Sequence, residues 1–151
     1  MLTKEFDGSY FLAVIEIAES LPEWFTSTGL ELMKEDFFFQ SPLGLFDENV
    51  LIGFLTFIVN QGSATITWMG VSPNFHKKGL GRSLIFQLEA VLQNRGVIEI
   101  FVSTLGDSVD YEPYNRTKVF YRRCAFADHR ILKHPDNPGY AEELVLRKRI
   151  I

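Results

Sequence analysis

Cysteine is scarce in this sequence, and its scarcity limits the chemistry open to the chain. Cys124 is the single cysteine among 151 residues, so neither an intramolecular disulfide nor a cluster of thiolate metal ligands can form. A lack of disulfides is typical of a reducing compartment, and we expect a cytoplasmic protein. His129 and His134 are interpreted as surface or strand-pairing residues, so no metal ion is expected.

Long apolar runs, basic charge and linker segments are also missing. No segment approaches the roughly 18 consecutive apolar residues of a membrane span. The N-terminal stretch "MLTKEFDG" places acidic residues ahead of its apolar segment, unlike a signal peptide. The net charge of -4 argues against a general nucleic-acid-binding protein, which needs a basic surface. Because nothing divides the chain, we expect a single domain over residues 1–151.

Apolar residues make up 46% of the chain, enough for a packed core, and their spacing changes along it. Residues 9–38 show mainly helical spacing, with Ser20 and Glu23 as a capping box for a second helix. Residues 43–60 and 63–71 are rich in β-branched and aromatic residues and are separated by turn residues. This pattern predicts an antiparallel meander.

The second half opens with a helix whose apolar stripe is the clearest pattern in the chain. Leucines recur every four residues from Leu80 to Leu92, as on one face of a helix. A strand over 97–104, a helix over 113–125 and two closing strands follow. This order predicts an α/β fold of layered helices and sheet, in which a mixed, mostly antiparallel sheet contains a parallel pair across the crossover.

The turn that enters this helix, "VSPNFHKKGLGRSLI" (residues 71–85), is poor in side chains and rich in positive charge. A helix N-terminus offers unpaired backbone N–H groups and a positive dipole, so it attracts anions. Gly79 and Gly81 would let a diphosphate approach the main chain. The glycine spacing fits neither a Walker A loop nor a Rossmann fingerprint. Taken alone, the turn fits a diphosphate cradle and a plain strand-to-helix connection equally well.

The same turn resembles the acyl-CoA-binding motif of the GNAT superfamily of N-acetyltransferases, Gln/Arg-x-x-Gly-x-Gly/Ala after a Val-x-Pro strand end. Val71, Pro73, Gly79 and Gly81 match this motif, and His76 stands where Gln or Arg is usual. His76 can still donate a hydrogen bond, although it lacks the fixed charge of Arg.

A second stretch, "RTKVFYRRCAF" (residues 116–126), resembles the helix-to-strand signature of the same superfamily. Phe120, Tyr121 and Phe126 match that signature. The Asn that is usual seven residues before the Tyr is displaced by one position, to Asn115. The two motifs occur in the expected order and spacing.

The resemblance implies a GNAT-like fold, in which two strands splay apart at the acyl-CoA site, and it implies acetyl-CoA as the cosubstrate. The cofactor-binding residues that it implies come from the end of the meander, the turn, the first helical turn and the last helix. They are Met69, Val71, His76, Lys77, Lys78, Gly79, Leu80, Gly81, Arg82, Ser83 and Asn115.

In this superfamily the acceptor amine attacks the acetyl thioester directly, which implies three tasks for the protein. The carbonyl oxygen needs a backbone N–H donor, expected from Met69 or Gly70 where the strands separate. The CoA thiolate needs a proton, expected from Tyr121, whose phenol is neutral near neutral pH. The third task is to deprotonate the acceptor.

The base for this third task is left open by the sequence. Glu99 lies within an apolar strand, where burial would raise its pKa toward neutrality. An outward-facing charge on a half-solvated strand explains Glu99 equally well. Asp107, Asp110 and Glu112, in the loop before the last helix, are further candidates, as is a chain of water molecules. The candidate catalytic residues are therefore Tyr121 and Glu99.

We therefore expect an acetyl-CoA-dependent N-acetyltransferase that acts on a primary amine of a small molecule, amino acid, polyamine or peptide. The alternative is a non-catalytic acyl-CoA-binding regulatory module with the same fold. Trp24, Trp68 and Phe37–Phe39 are candidates for an acceptor pocket, although aromatic clusters more often belong to the core. The C-terminal strand could supply the edge of a homodimer.

Overall fold

The computed structural model describes the whole chain, Met1–Ile151. Its helices and strands are, in chain order, β1 (Leu2–Glu5), α1 (Phe11–Glu19), α2 (Ser27–Asp36), β2 (Ser41–Asp47), β3 (Val50–Asn60), β4 (Ser63–Val71), α3 (Leu80–Gln93), β5 (Glu99–Leu105), α4 (Glu112–Arg123), β6 (Ala127–Lys133) and β7 (Glu142–Arg149). No helix has both the length and the apolar character needed to cross a membrane.

The seven strands form one sheet in the order β1-β2-β3-β4-β5-β7-β6. All neighbouring strands are antiparallel except β4 and β5, which run parallel. Parallel neighbours need a long crossover, and α3 supplies it. The predicted mixed, mostly antiparallel α/β sheet flanked by helices is confirmed.

The sheet buries an apolar cluster on each face. The predicted stripe of α3, including Leu84 and Leu88, packs with Tyr121 of α4 and Leu144 of β7 on one face. The helices α1 and α2 cover the other face, together with side chains of β2 to β4 such as Phe54. Each face is therefore closed by a pair of helices, as a layered domain requires.

The start of the second helix differs from the sequence-based expectation. Ser20 does not cap α2, because it ends α1 and donates its hydroxyl to the Ile17 carbonyl at 2.5 Å. The N-cap of α2 is Thr26, whose Oγ1 accepts the Gly29 N–H at 3.1 Å. The predicted capping box is wrong, since residues 20–23 belong to the connection between the helices.

The connection after β5 is held to β7 by one carboxylate. Gly106 lies so close to Glu142 that a Cβ atom on it would overlap the carboxylate. Glu142 is buried, accepts the Ser108 N–H at 3.2 Å and forms an ion pair with Lys133. The hydrogen bond from Lys133, followed by those from Ser108, lowers the pKa of Glu142 to about 2.

Glu142→Gln should therefore destabilise the protein in a pH-dependent way. The folded pKa lies below the unfolded one, so the charged Glu142 stabilises the fold above the unfolded pKa and loses this effect as the pH falls. We expect a lower free energy of unfolding for the variant near neutral pH, and a difference that shrinks between about pH 5 and about pH 3. Urea denaturation across this range measures the difference. Glu16→Gln, at an exposed α1 position, is the control, and an equal deficit at all pH values would contradict the assignment.

Candidate functional site

The sheet opens between β4 and β5. The two strands pair only from Ser63–Glu99 to Ile66–Val102. Beyond this point β4 stays paired with β3 and β5 stays paired with β7. A gap therefore runs along the last residues of β4, where backbone groups have no partner strand.

A bulge lies at the point where the gap begins. Thr56 of β3 pairs with Trp68 and Phe57 pairs with Ile66, which leaves Thr67 without a partner on β3. A bulged residue bends its strand and increases its twist. The bulge therefore turns the end of β4 away from β5, and the sequence offers no glycine or proline that would have predicted it.

The backbone of Met69 and Val71 faces the gap. Ser72 donates its N–H to the Ile52 carbonyl of β3 at 2.8 Å. Because successive N–H groups of a strand point to opposite sides, Gly70 also faces β3, whereas Met69 and Val71 point toward the gap. This alternation favours Met69 over Gly70 as a donor to a group bound in the gap.

The N-terminus of α3 lies directly after this strand end. Gly79 adopts a left-handed conformation (φ 71°) at the N-cap, and no side chain caps the helix. The first helical bond is donated by Ser83 to the Gly79 carbonyl at 3.1 Å. The N–H groups of Leu80, Gly81 and Arg82 therefore remain free for an anion.

The absence of a side chain at Gly81 has a packing cause as well. A Cβ atom there would lie 3.1 Å from two ring atoms of Phe120 and 3.5 Å from Met69 Cε. Gly81 therefore sits where α3, α4 and the end of β4 meet. The two motif segments, one on α3 and one on α4, are therefore in contact.

The basic residues of the turn are exposed and unpaired. None of Lys77, Lys78 and Arg82 forms an ion pair with a carboxylate of the chain. Lys78 Nζ lies 5.3 Å from the centroid of the Phe75 ring. Their charge is thus uncompensated around the free N–H groups, which favours an anionic ligand.

His76 is bound to the strand end. Its Nε2 donates to the Val71 carbonyl at 2.6 Å, and this carbonyl faces the gap. Its ring also contacts Trp24 edge to face, with centroids 6.5 Å apart. His76 therefore fixes the turn against β4 through its side chain.

Tyr121 of α4 reaches the gap from the other side. Its hydroxyl lies 3.8 Å from Met69 Sδ, and the residue is 6% exposed. Burial raises the pKa of Tyr121 well above its ordinary value, so the phenol stays protonated. The structure thus brings a neutral O–H donor next to the residue whose N–H faces the gap.

Glu99 lies at the closed end of the gap, away from Tyr121 and Met69. It is paired with Ser63, six residues before Met69 along β4, a separation of roughly 20 Å. The hydrogen bond from Ser63, aided by Arg147, lowers the pKa of Glu99. The expected rise toward neutrality is therefore wrong, and Glu99 clamps the paired end of β4 and β5.

The remaining acidic candidates are engaged within the loop and α4. Their partners are Lys118 for Asp107 at 2.8 Å, Asn115 for Asp110 at 2.9 Å, and Arg116 for Glu112 at 3.2 Å. The side-chain amide of Asn115 is thus bonded to the loop that precedes α4. Each of these three carboxylates therefore has a cationic or amide partner within the loop and α4.

A connection crosses the open end of the gap, and no sequence pattern predicted it. Residues 21–26, which we call the strap, join α1 to α2. Trp24 Nε1 donates to Thr117 Oγ1 at 3.0 Å, and the Tyr114 hydroxyl donates to the Trp24 carbonyl at 3.2 Å. The strap also packs on Gly70, where a Cβ atom would lie 3.0 Å from a Leu21 methyl group. It therefore joins the β4 side of the gap to α4.

Comparisons with known proteins agree with this geometry. The sequence model of the acetyltransferase (GNAT) family matches residues 11–126. No curated protein sequence matches significantly. An acetyltransferase of the GNAT family from Desulfovibrio desulfuricans has a similar structure, with 20% identity, 99% of each chain covered and a TM-score of 0.85.

Two further solved structures share the fold. The ribosomal-protein-S18-alanine N-acetyltransferase from Escherichia coli is 17% identical, with 99% of this chain and 93% of that chain covered and a TM-score of 0.77. The PaiA N-acetyltransferase from Thermoplasma acidophilum, solved in complex with coenzyme A, is 17% identical, with 99% of each chain covered and a TM-score of 0.75. The family match and the shared fold lead to one conclusion: the chain belongs to the GNAT family of acetyltransferases.

Proposed function

We propose that the protein transfers an acetyl group from acetyl-CoA to a primary amine by direct attack. The observation that supports this proposal best is the arrangement around Met69. A gap-facing N–H, a buried phenol at 3.8 Å from the Met69 sulfur and an uncapped helix N-terminus all lie at the end of one strand. When bound, acetyl-CoA supplies an acyl group activated as a thioester.

The turn and α3 would hold the diphosphate of the cosubstrate. The free N–H groups of Leu80, Gly81 and Arg82 would donate to an anion bound at the helix N-terminus, where the dipole adds to their effect. The exposed cations of the turn add charge without a competing carboxylate. Ser83 begins the bonded part of the helix and lies within the same first turn.

The open edge of β4 would hold the amide-containing arm. Met69 and Val71 offer the backbone groups that a neighbouring strand would otherwise use, and an extended ligand with amide groups can take its place. The Val71 carbonyl already accepts a hydrogen bond from His76. The N–H of Val71 is therefore the group that remains free for a ligand. Asn115 would need to leave Asp110 to contribute.

The two remaining tasks fall to Met69 and Tyr121. The Met69 N–H would donate to the carbonyl oxygen as negative charge develops there. The Tyr121 hydroxyl, kept protonated by burial, would donate a hydrogen bond and then a proton to the departing thiolate. Both groups belong to rigid elements, so they need little rearrangement.

Calorimetric titration with acetyl-CoA and CoA, with ATP as control, tests the cosubstrate assignment. We expect saturable binding of both CoA species and none of ATP. If no CoA species binds at sub-millimolar concentration, the turn is a plain strand-to-helix connection and the proposal has no basis. A thiol-release assay with a panel of primary amines then tests catalysis. Binding without release of thiol for any amine would instead support the regulatory module.

A further inference from the structure

A histidine and a glutamate form a pair at the β5–β7 border of the gap, across from Trp68 at the β4 border. His134 Nε2 lies 2.8 Å from Glu143 Oε1, and these side chains are 38% and 18% exposed. Glu143 belongs to β7, and His134 follows β6 and donates its backbone N–H to the Ala141 carbonyl at 2.8 Å. The pair therefore lies on the hairpin that borders β5.

The pair is on the face of the sheet that α3 and α4 do not cover. Leu144 and Leu146 of β7 belong to the apolar cluster with α3 and α4. Because side chains alternate along a strand, Glu143 points to the opposite face. Trp68 of β4 packs on that same face with α1 and α2. An acceptor approaching the gap from this face would pass between Trp68 and Glu143.

The pair is also level with the proposed reaction centre. Ile66 and Val102 are the last paired residues of β4 and β5. Met69 and Leu105 each lie three residues further on, and Glu143 is the β7 partner of Leu105. Where the sheet is closed, two strand spacings, about 10 Å, separate β4 from β7, and β6, which His134 follows, lies one spacing further out. The opening of the gap adds to this distance at Met69. Water molecules beside a bound acceptor can bridge the distance from its attacking nitrogen to the pair.

The chemistry of the pair fixes which nitrogen is free. A carboxylate only accepts hydrogen bonds, so the proton of a neutral His134 ring lies on Nε2 and the lone pair lies on Nδ1. The ring also stacks on Tyr140, with centroids 5.7 Å apart and planes inclined by 13°. The Tyr140 hydroxyl donates to the carbonyl of Thr104, at the end of β5, at 3.4 Å. The imidazole is thus held from two sides.

We propose that His134 is the base that deprotonates the acceptor amine and that Glu143 is its positioning residue. This inference rests on the proposed function. The acceptor ammonium gives one proton to His134 Nδ1 through bound water molecules, and the ring passes it to solvent. The neutral amine forms the new C–N bond as the C–S bond breaks. Tyr121 protonates the departing thiolate, and the second proton that the nitrogen loses returns through water to the Tyr121 oxygen.

The test compares a nucleophile that needs a base with one that does not. At neutral pH 1,5-diaminopentane and glycinamide are largely protonated, whereas hydroxylamine is largely neutral. His134→Gln should lower kcat/KM for the protonated amines about 100-fold and that for hydroxylamine less than about threefold. Glu143→Gln should lower kcat/KM for the same two amines to a smaller extent. Thiol release with acetyl-CoA gives all of these rates.

A matched control is available on β6, the strand that His134 follows. The His129 ring lies 5.5 Å from the Phe101 ring and has no carboxylate partner. His129→Gln should leave all rates unchanged. An equal loss for hydroxylamine and the protonated amines, or no loss in His134→Gln, would overturn the base assignment. A wild-type protein that binds acetyl-CoA but acetylates neither kind of nucleophile would overturn the proposed function itself.

The tautomer gives a second measurement that needs no turnover. Long-range 1H–15N spectra of the histidine rings, assigned with His134→Gln, should show the His134 proton on Nε2. A proton on Nδ1 would leave no lone pair for the acceptor and would overturn the inference, whatever the activity of the protein.

Discussion

Gly81→Glu should weaken acetyl-CoA binding by about 100-fold or more, equivalent to about 3 kcal/mol. The variant places a carboxylate among the free N–H groups of α3, where it both repels a diphosphate and occupies its place. It also adds a Cβ atom 3.1 Å from the Phe120 ring. Calorimetric titration measures the affinity, and circular dichroism reports whether the fold is kept.

Two further variants separate charge from packing at this position. Gly81→Ala adds the same Cβ contact without the charge, so it should bind more tightly than Gly81→Glu. Gln87→Glu adds a charge at an exposed α3 position two turns away and should bind as the wild type does. A folded Gly81→Glu protein with wild-type affinity would disprove the diphosphate site.

Tyr121→Phe should lower kcat about 100-fold, within the range of general acid catalysis, while the Kd of acetyl-CoA changes less than about twofold. The variant removes only a hydroxyl whose hydrogen-bond partner is the Met69 sulfur, so the packing of the ring is kept. Because burial raises the pKa of Tyr121, ionisation of this phenol should not reduce wild-type kcat below about pH 10. Steady-state kinetics and calorimetry together measure both quantities.

Tyr10→Phe is the matched control for this change. Tyr10 is half-buried among Phe6 and Phe46 on the other face of the sheet, so its loss should not alter kcat. Wild-type turnover in Tyr121→Phe would indicate that water, and not Tyr121, donates the proton. A complete loss of acetyl-CoA binding would instead make Tyr121 part of the binding site.

The elements that could be predicted from sequence are those whose pattern repeats locally. The α3 stripe and the β3–β4 meander are confirmed because burial on one face imposes a regular period. β1 was missed because Leu2–Glu5 pairs only at the sheet edge and is mostly exposed. Such a strand needs no alternation of apolar residues, so nothing in its composition marks it.

The errors at the site concern contacts between distant residues. The apolar strand around Glu99 suggested a buried acid, but its partner Arg147 is 48 positions away. The sequence also does not show at which end a parallel pair of strands opens. The capping box at Ser20 failed because a helix ended there, and the same serine can close a helix or begin one. The pairing of His134 with Glu143 could not be predicted, because the two residues lie across a hairpin that only the register defines.

The interrupted sheet has a consequence for the stability of the free protein. β4 and β5 pair directly at one end only, through four residue pairs, and the strap links the other end of β4 to α4. The two parts of the sheet therefore share few backbone hydrogen bonds. Local opening should therefore cost least along this seam. A ligand that fills the seam replaces part of the missing ladder, and its binding free energy adds to the folding free energy. The region that the chemistry requires should therefore open locally most often in the free protein, and a bound ligand should suppress this opening.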